Sequence, residues 1–209
     1  MSRTAVVLFT GDARREEAQK GLRPRFLASI HDSLARAIRR LAGVDLLIAS
    51  DRDDEFRISG RLVHATTLGD KIEQAFSSAR ASGYERVIVL AGDIVLPPAT
   101  LERAIAELQS YESVIGPSPD GGFYLIGFNG APRVDWNAVA WFTSHAFDDV
   151  VAQLGTFALL PELRDVDSLD DARAVAPSLI NDHVIDCQRE IVIPLAPPLR
   201  STQLRAPPR

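Results

Sequence analysis

The sequence predicts a single α/β domain around a mostly parallel sheet, and three observations carry that reading. Short apolar runs alternate with amphipathic helical patterns through the first half of the chain, the signature of strands joined by crossover helices. The strongest strand, Arg86–Ala91 (RVIVLA), is apolar at consecutive positions, as a central parallel strand covered on both faces must be. The length of 209 residues with 46% hydrophobic residues suffices for one core, and no internal repeat or linker interrupts it.

The elements follow in order. Thr4–Thr10 (TAVVLFT) reads as a buried strand stopped by Gly11-Asp12. A charged stretch from Arg14 to Gly21 comes next. After Pro24, apolar residues at 26, 30, 34, 38 and 41 mark one face of a helix that Gly43 ends. Val44–Ala49 is a second strand, and Ser50–Glu55 a polar loop. Leu68–Ala81 has helical spacing with a stop at Gly83, and the RVIVLA strand ends in Gly92-Asp93. Pro97-Pro98 opens a helix, where a missing N–H costs nothing. Ser113–Gly116 and Phe123–Phe128 are strands on either side of the turn signal Asp120-Gly121-Gly122. Trp136–Leu154 has a weaker helical pattern, and Ser168 caps a helix whose first turn holds Asp170 and Asp171. The domain is expected over residues 1–194, with 195–209 a Pro/Arg-rich extended or disordered tail.

Composition narrows the function classes. With 23 Lys+Arg against 28 Asp+Glu the net charge is −5, which argues against a nucleic-acid partner held by bulk charge. The lone Cys187 excludes an internal disulfide and a cysteine zinc cluster, and the four histidines lack metal-ligand spacing. No apolar run reaches the roughly 20 residues of a membrane span, and Met1–Thr4 leads straight into a strand, so a cytoplasmic protein is expected.

In an open parallel sheet, ligands bind beyond the carboxyl ends of the strands. Asp93 stands there, with Gly92 giving a ligand room to approach; the pair is also an ordinary turn. Asp165 and Asp167, two residues apart in an extended segment, face the same side and can meet one cation, or simply form an acidic helix entry. One Asp at a strand tip and a D-x-D pair from late in the chain fit Mg²⁺, which takes a few carboxylates and leaves its other positions to phosphate and water. Gly116–Gly127 carries more glycine and proline than a hairpin needs, so Asp120, Gly121 and Gly122 are candidates to approach substrate closely. Tyr124 offers a stacking face or a core ring.

These motifs together (VIVLAGD, GPSPDGGFYLIGF, Trp141 and LPELRDVDSLDD) resemble a bacterial family, the glycosyltransferase-like, selenodomain-associated transferase 1 group of the nucleotide-diphospho-sugar transferase superfamily. The resemblance runs from about Ala5 to Val175 and implies a GT-A-like three-layer sandwich that binds a nucleotide or nucleotide-sugar with Mg²⁺ or Mn²⁺. On that resemblance Asp93, Asp165 and Asp167 hold the metal, Asp93 and Asp120 serve catalysis, and Gly121, Gly122, Tyr124 and Trp141 line the acceptor side. Thr10, Gly11, Arg14, Arg15 and Lys20 occupy the place of the phosphate-gripping loop, without its G-x-G and with added acidic residues. Arg14, Arg15 and Lys20 either contact phosphate or form a solvated turn. The neighbouring Asp-Cys-Pro of the family is here Asp93-Ile94-Val95. The expected activity is a metal-dependent transfer from a nucleotide or nucleotide-sugar donor to a small acceptor. Nucleotidyl transfer of the phospholactate guanylyltransferase kind, and non-catalytic binding of a nucleotide or metabolite, are the alternatives. No separate acceptor domain is expected, so the acceptor is small or is held partly by a second copy in a homo-oligomer.

Overall fold

The computed structural model describes residues 3–52 and 55–176; the expected tail at 195–209, with Cys187 and His183, lies outside them. The described elements are β1 (Thr4–Phe9), α1 (Ala13–Gln19), α2 (Phe26–Arg39), β2 (Val44–Arg52), β3 (Glu55–Ile58), β4 (Arg61–Leu62), α3 (Leu68–Ala81), β5 (Arg86–Leu90), α4 (Pro98–Glu107), β6 (Ser113–Pro117), β7 (Phe123–Asn129), a 3-10 turn (Trp136–Ala138), α5 (Ala146–Val151), β8 (Phe157–Leu159) and α6 (Leu169–Val175). None of the described helices is long and apolar enough to cross a membrane.

The strands form one sheet in the order β4-β3-β2-β1-β5-β7-β6-β8. β2, β1 and β5 are parallel neighbours, and β8 lies parallel to β6. β7 runs antiparallel between β5 and β6, and β3 runs antiparallel between β2 and β4. Only β3 and β7 therefore oppose the common direction. The reversal at β7 matters for the site: β6 arrives at the carboxyl edge of the sheet, and the turn into β7 leaves Asp120 there.

The pleat sends alternate residues to opposite layers. Val6, Leu8, Ile88 and Leu90 pack under α2, α4 and α6, while Ala5, Val7, Val87 and Val89 pack against α3 and the Trp136 region. Each buried Leu, Ile or Phe on these faces contributes about 1.5–3 kcal/mol relative to exposure. On the second face Phe76 meets Trp136 and Phe128 with ring centroids 5.9 and 5.2 Å apart.

Three segments differ from the sequence expectation. Ser50–Glu55 is no polar loop: β2 continues to Arg52, and the chain doubles back as β3, whose Phe56 and Ile58 are buried while Glu55 is exposed. The charged stretch after Gly11 forms α1, started by Asp12, whose side chain accepts from the Arg14 and Arg15 N–H groups. Trp136–Leu154 is not one helix. It breaks into the 3-10 turn and α5, with Phe142 between them at φ 61°, a left-handed conformation that no helix accommodates.

Candidate active site

The centre of the site is the loop after β5. A side chain at Gly92 would put its Cβ 2.0 Å from the Phe9 carbonyl oxygen and 2.7 Å from His31 Nε2, so only glycine fits between β1 and α2. The next residue, Asp93, accepts the Val166 N–H on its backbone carbonyl at 2.9 Å, and Ile94 forms an antiparallel bridge with Asp165. These bonds stitch the late D-x-D segment to the tip of the central strand. Val166 between the two acids is fully buried in the core, which leaves Asp165 and Asp167 on the opposite side of the segment.

Lys20 closes this arrangement. Its Nζ donates to Asp93 Oδ2 at 2.7 Å and to the Val166 carbonyl at 2.9 Å, and it pairs with Asp167 Oδ1 at 2.9 Å. Burial pulls the ammonium down, but the charge of Asp93 and the hydrogen bonds from Lys20 to Asp93 and Asp167 outweigh it and hold Lys20 above the ordinary lysine range. Asp120, Asp165 and Asp167 form a second cluster, with one carboxylate oxygen from each within 4.8 Å of the others. Burial first, then the charges of Asp167, Asp93 and Asp120, push Asp165 up to about 6.

Asp120 is held by its own turn. The Gly122 N–H donates to Asp120 Oδ1 at 2.9 Å, and Ser118 N–H to the Gly122 carbonyl at 3.0 Å. Gly121 has φ 87° and lies so close to Ser144 that a Cβ would come within 2.3 Å of its carbonyl oxygen. The Phe147 N–H donates to the Gly121 carbonyl at 2.8 Å, so the start of α5 braces the turn.

The first loop is reached differently from expectation. Thr10 bonds Ala49 through both its N–H (2.8 Å) and its hydroxyl (3.3 Å). Arg14 and Arg15 have exposed side chains, whereas Lys20 reaches the carboxylates of Asp93 and Asp167. Glu16 lies over Gly11, where an added Cβ would sit 1.7 Å from its Oε1. Burial, then the charge of Asp93, raises Glu16 to about 7 against the opposing pull of Lys20. Glu17, missed by sequence reading, is 3% exposed and accepts from the Arg25 N–H at 2.9 Å and the Leu27 N–H at 2.8 Å. It caps α2 from a neighbouring helix and so fixes the backbone that carries Lys20.

On the acceptor side, Tyr124 is 1% exposed, with its ring over Gly116 and its hydroxyl donating to the Pro161 carbonyl at 2.9 Å. That places it in the core, out of reach of an acceptor: the register shift at Gly116/Pro117 sets Tyr124 in the first layer with Leu125, while Ile126 and Phe128 serve the second. Trp141 is half-buried, stacks on Trp136 and donates from Nε1 to the Trp136 carbonyl at 2.9 Å. Beside it Phe142 is 91% exposed, a feature with no signal in the sequence because backbone strain is not written in residue type.

This architecture is the fold of nucleotide-diphospho-sugar transferases: 88% of the chain matches 96% of a protein from Desulfovibrio desulfuricans G20 proposed to be such a transferase, with a TM-score of 0.70 and 22% identity. Residues 58–143 match the family described as "Uncharacterized protein conserved in bacteria" (DUF2064), a span that contains GPSPDGGFYLIGF. Both findings bear out the resemblance read from the sequence. The chain is also similar to Rv0371c of Mycobacterium tuberculosis H37Rv, solved in complex with manganese (17% identity, 85% of this chain and 99% of that one, TM-score 0.47). The inositol-1-phosphate CTP transferase from T. maritima is a further match (13% identity, 91% and 98%, TM-score 0.43). Among curated proteins no sequence match is found.

Proposed function

We propose that this protein is a metal-dependent transferase that takes a nucleotide or nucleotide-sugar donor and passes a group to a small acceptor. The observation that carries the reading is the convergence of Asp93, Asp120, Asp165 and Asp167 with Lys20 at the carboxyl edge of a transferase-type sheet. The donor set fits Mg²⁺ or Mn²⁺: carboxylate oxygens, with Asp120, Asp165 and Asp167 in mutual reach and Asp93 tied to Asp167 through one ammonium. When bound, such an ion neutralises charge on a diphosphate leaving group.

The chain's own residues supply the rest. Asp93, Asp165 and Asp167 hold the cation, and Asp120 adds its carboxylate from the acceptor side. Gly121 and Gly122 let the acceptor approach the turn, and Trp141 packs beneath it. The Thr10–Gly11 loop and Lys20 face the donor phosphates, with Arg14 and Arg15 on the exposed side of α1. The first loop lacks a G-x-G and carries Glu16 over Gly11 in place of a phosphate-gripping donor, which favours a diphospho-sugar donor over nucleotidyl transfer from a nucleoside triphosphate. Positioning and charge stabilisation then supply the catalysis.

A thermal-shift panel of nucleotides and nucleotide-sugars, with and without Mn²⁺ or Mg²⁺, tests this. At least one nucleotide-sugar should raise Tm only when metal is present, and Asp93→Ala should abolish the shift. A shift confined to triphosphates points to nucleotidyl transfer instead. The absence of any metal-dependent shift sinks the transferase reading.

A further inference from the structure

Lys20 has more to do than pair with acids. All three of its ammonium protons are used, on Asp93 Oδ2, Asp167 Oδ1 and the Val166 carbonyl, at 2.7, 2.9 and 2.9 Å. These are the short contacts of a cation held by hard oxygen ligands, two of them carboxylates proposed above as metal ligands. A divalent ion binding the same carboxylates at about 2.0–2.1 Å would sit a few ångströms from the ammonium. Like charges at that range in a half-buried site repel strongly, so the two cations compete for the carboxylates.

The surrounding chain shows which part can yield. α1 is a seven-residue helix between Gly11 at φ 53° and Gly21 at φ 65°, and Glu17 anchors it to the start of α2. The backbone at Lys20 is therefore held, while its four-carbon stem is free to swing the ammonium to another anion. The side chain keeps 18% exposure, which opens that route.

We propose that Lys20 is a resident counter-ion which the divalent cation displaces from Asp93 and Asp167, and that the released ammonium passes to the donor diphosphate. The inference rests on the transferase reading above. It adds that metal and diphosphate bind with positive coupling, because the ion's arrival frees the group that grips the phosphates. In the absence of metal the same lysine offsets the charge of Asp93 and Asp167.

The experiment measures Mn²⁺ affinity by calorimetry, then the affinity of ADP, CDP, GDP and UDP at saturating Mn²⁺, for the full chain and for Lys20→Met and Lys20→Gln. Lys71→Met controls for long-range charge, since it removes the chain's other lysine, which is paired with Asp51. Circular dichroism confirms that each variant is folded; should Lys20→Met not fold, Lys20→Gln, which retains two donors, carries the comparison. The expected result is Mn²⁺ binding at least 10-fold tighter in the Lys20 variants, within 2-fold of wild type in Lys71→Met, and diphosphate binding at least 10-fold weaker in the Lys20 variants. Equal or weaker Mn²⁺ binding in the Lys20 variants overturns the displacement. Tighter Mn²⁺ with unchanged diphosphate affinity overturns the transfer to phosphate. Equal tightening in Lys71→Met reduces the effect to bulk charge and overturns the proposal as well. If no variant and no wild-type protein binds Mn²⁺, the transferase reading itself fails.

Discussion

At the scale of single residues, the site is bounded by positions whose backbone has little freedom. Gly92 and Gly121 accept no side chain because carbonyl oxygens of Phe9 and Ser144 occupy the place of a Cβ. Phe142 is the opposite case, a bulky residue kept at φ 61° with 91% of its surface in solvent. Such a conformation costs about 1–2 kcal/mol for an L residue. Phe142→Asn, which tolerates the left-handed region and forfeits little packing, should raise Tm by about 2 °C in calorimetry. A fall in Tm would mean that the ring supports the loop. The sequence made Asp93, Asp120, Asp165 and Asp167 legible, because strand ends and turns announce themselves through apolar runs and Gly-Asp pairs. It did not distinguish Lys20 from Arg14 and Arg15. Which of three neighbouring cations turns inward depends on helix phase, and a seven-residue helix without an apolar stripe does not reveal its phase.

At the scale of elements, α1 and α2 form a unit whose junction is electrostatic. The N-cap of α2 is Arg25, at φ 69° and with no side-chain capping bond, so the Arg25 and Leu27 N–H groups depend on Glu17. Glu17→Ala leaves two N–H groups without their acceptor, Leu27's buried and Arg25's part-buried, and should cost about 1–3 kcal/mol, read as a lowered urea midpoint with unchanged m. Glu17→Gln, which keeps one acceptor oxygen, should lose roughly half as much. An unchanged midpoint in both would show that water replaces the carboxylate. α2 and α3 are legible from strong periodicity and β5 from an unbroken apolar run, but the β3–β4 hairpin is not. Its buried face rests on two residues, Phe56 and Ile58, too short a pattern to set against the polar residues before it. The weak pattern after Trp136 misleads for a related reason: apolar residues of the 3-10 turn and of α5 pack separately on the second face, and together they imitate one helix.

At the scale of the whole molecule, the net charge of −5 is unevenly placed. Acids collect where the strands end, and two of them are raised, Glu16 to about 7 and Asp165 to about 6, with burial the first cause of each. A carboxyl raised on folding is stabilising while protonated. Its contribution is complete below the unfolded value and is lost as pH rises through the folded one. The metal-free protein should therefore lose stability between about pH 4.5 and 7 from Glu16, with Asp165 adding the same sign over a slightly lower window. Glu16→Gln should match wild type near pH 4.5 and exceed its Tm by about 3 °C at pH 8. Parallel curves for the two proteins would show that Glu16 titrates normally.

The scarcity of lysine has a practical consequence. The chain has two, and each ammonium is held by an acid at a strand end: Lys20 by Asp93 after β5, and Lys71 by Asp51 in β2. Amine-selective reagents ignore the many arginines, so covalent labelling followed by peptide mass analysis reads these two positions against a nearly silent background. One protein thus carries a footprinting signal at the heart of its acidic edge and an internal standard a few strands away, with no engineered tag.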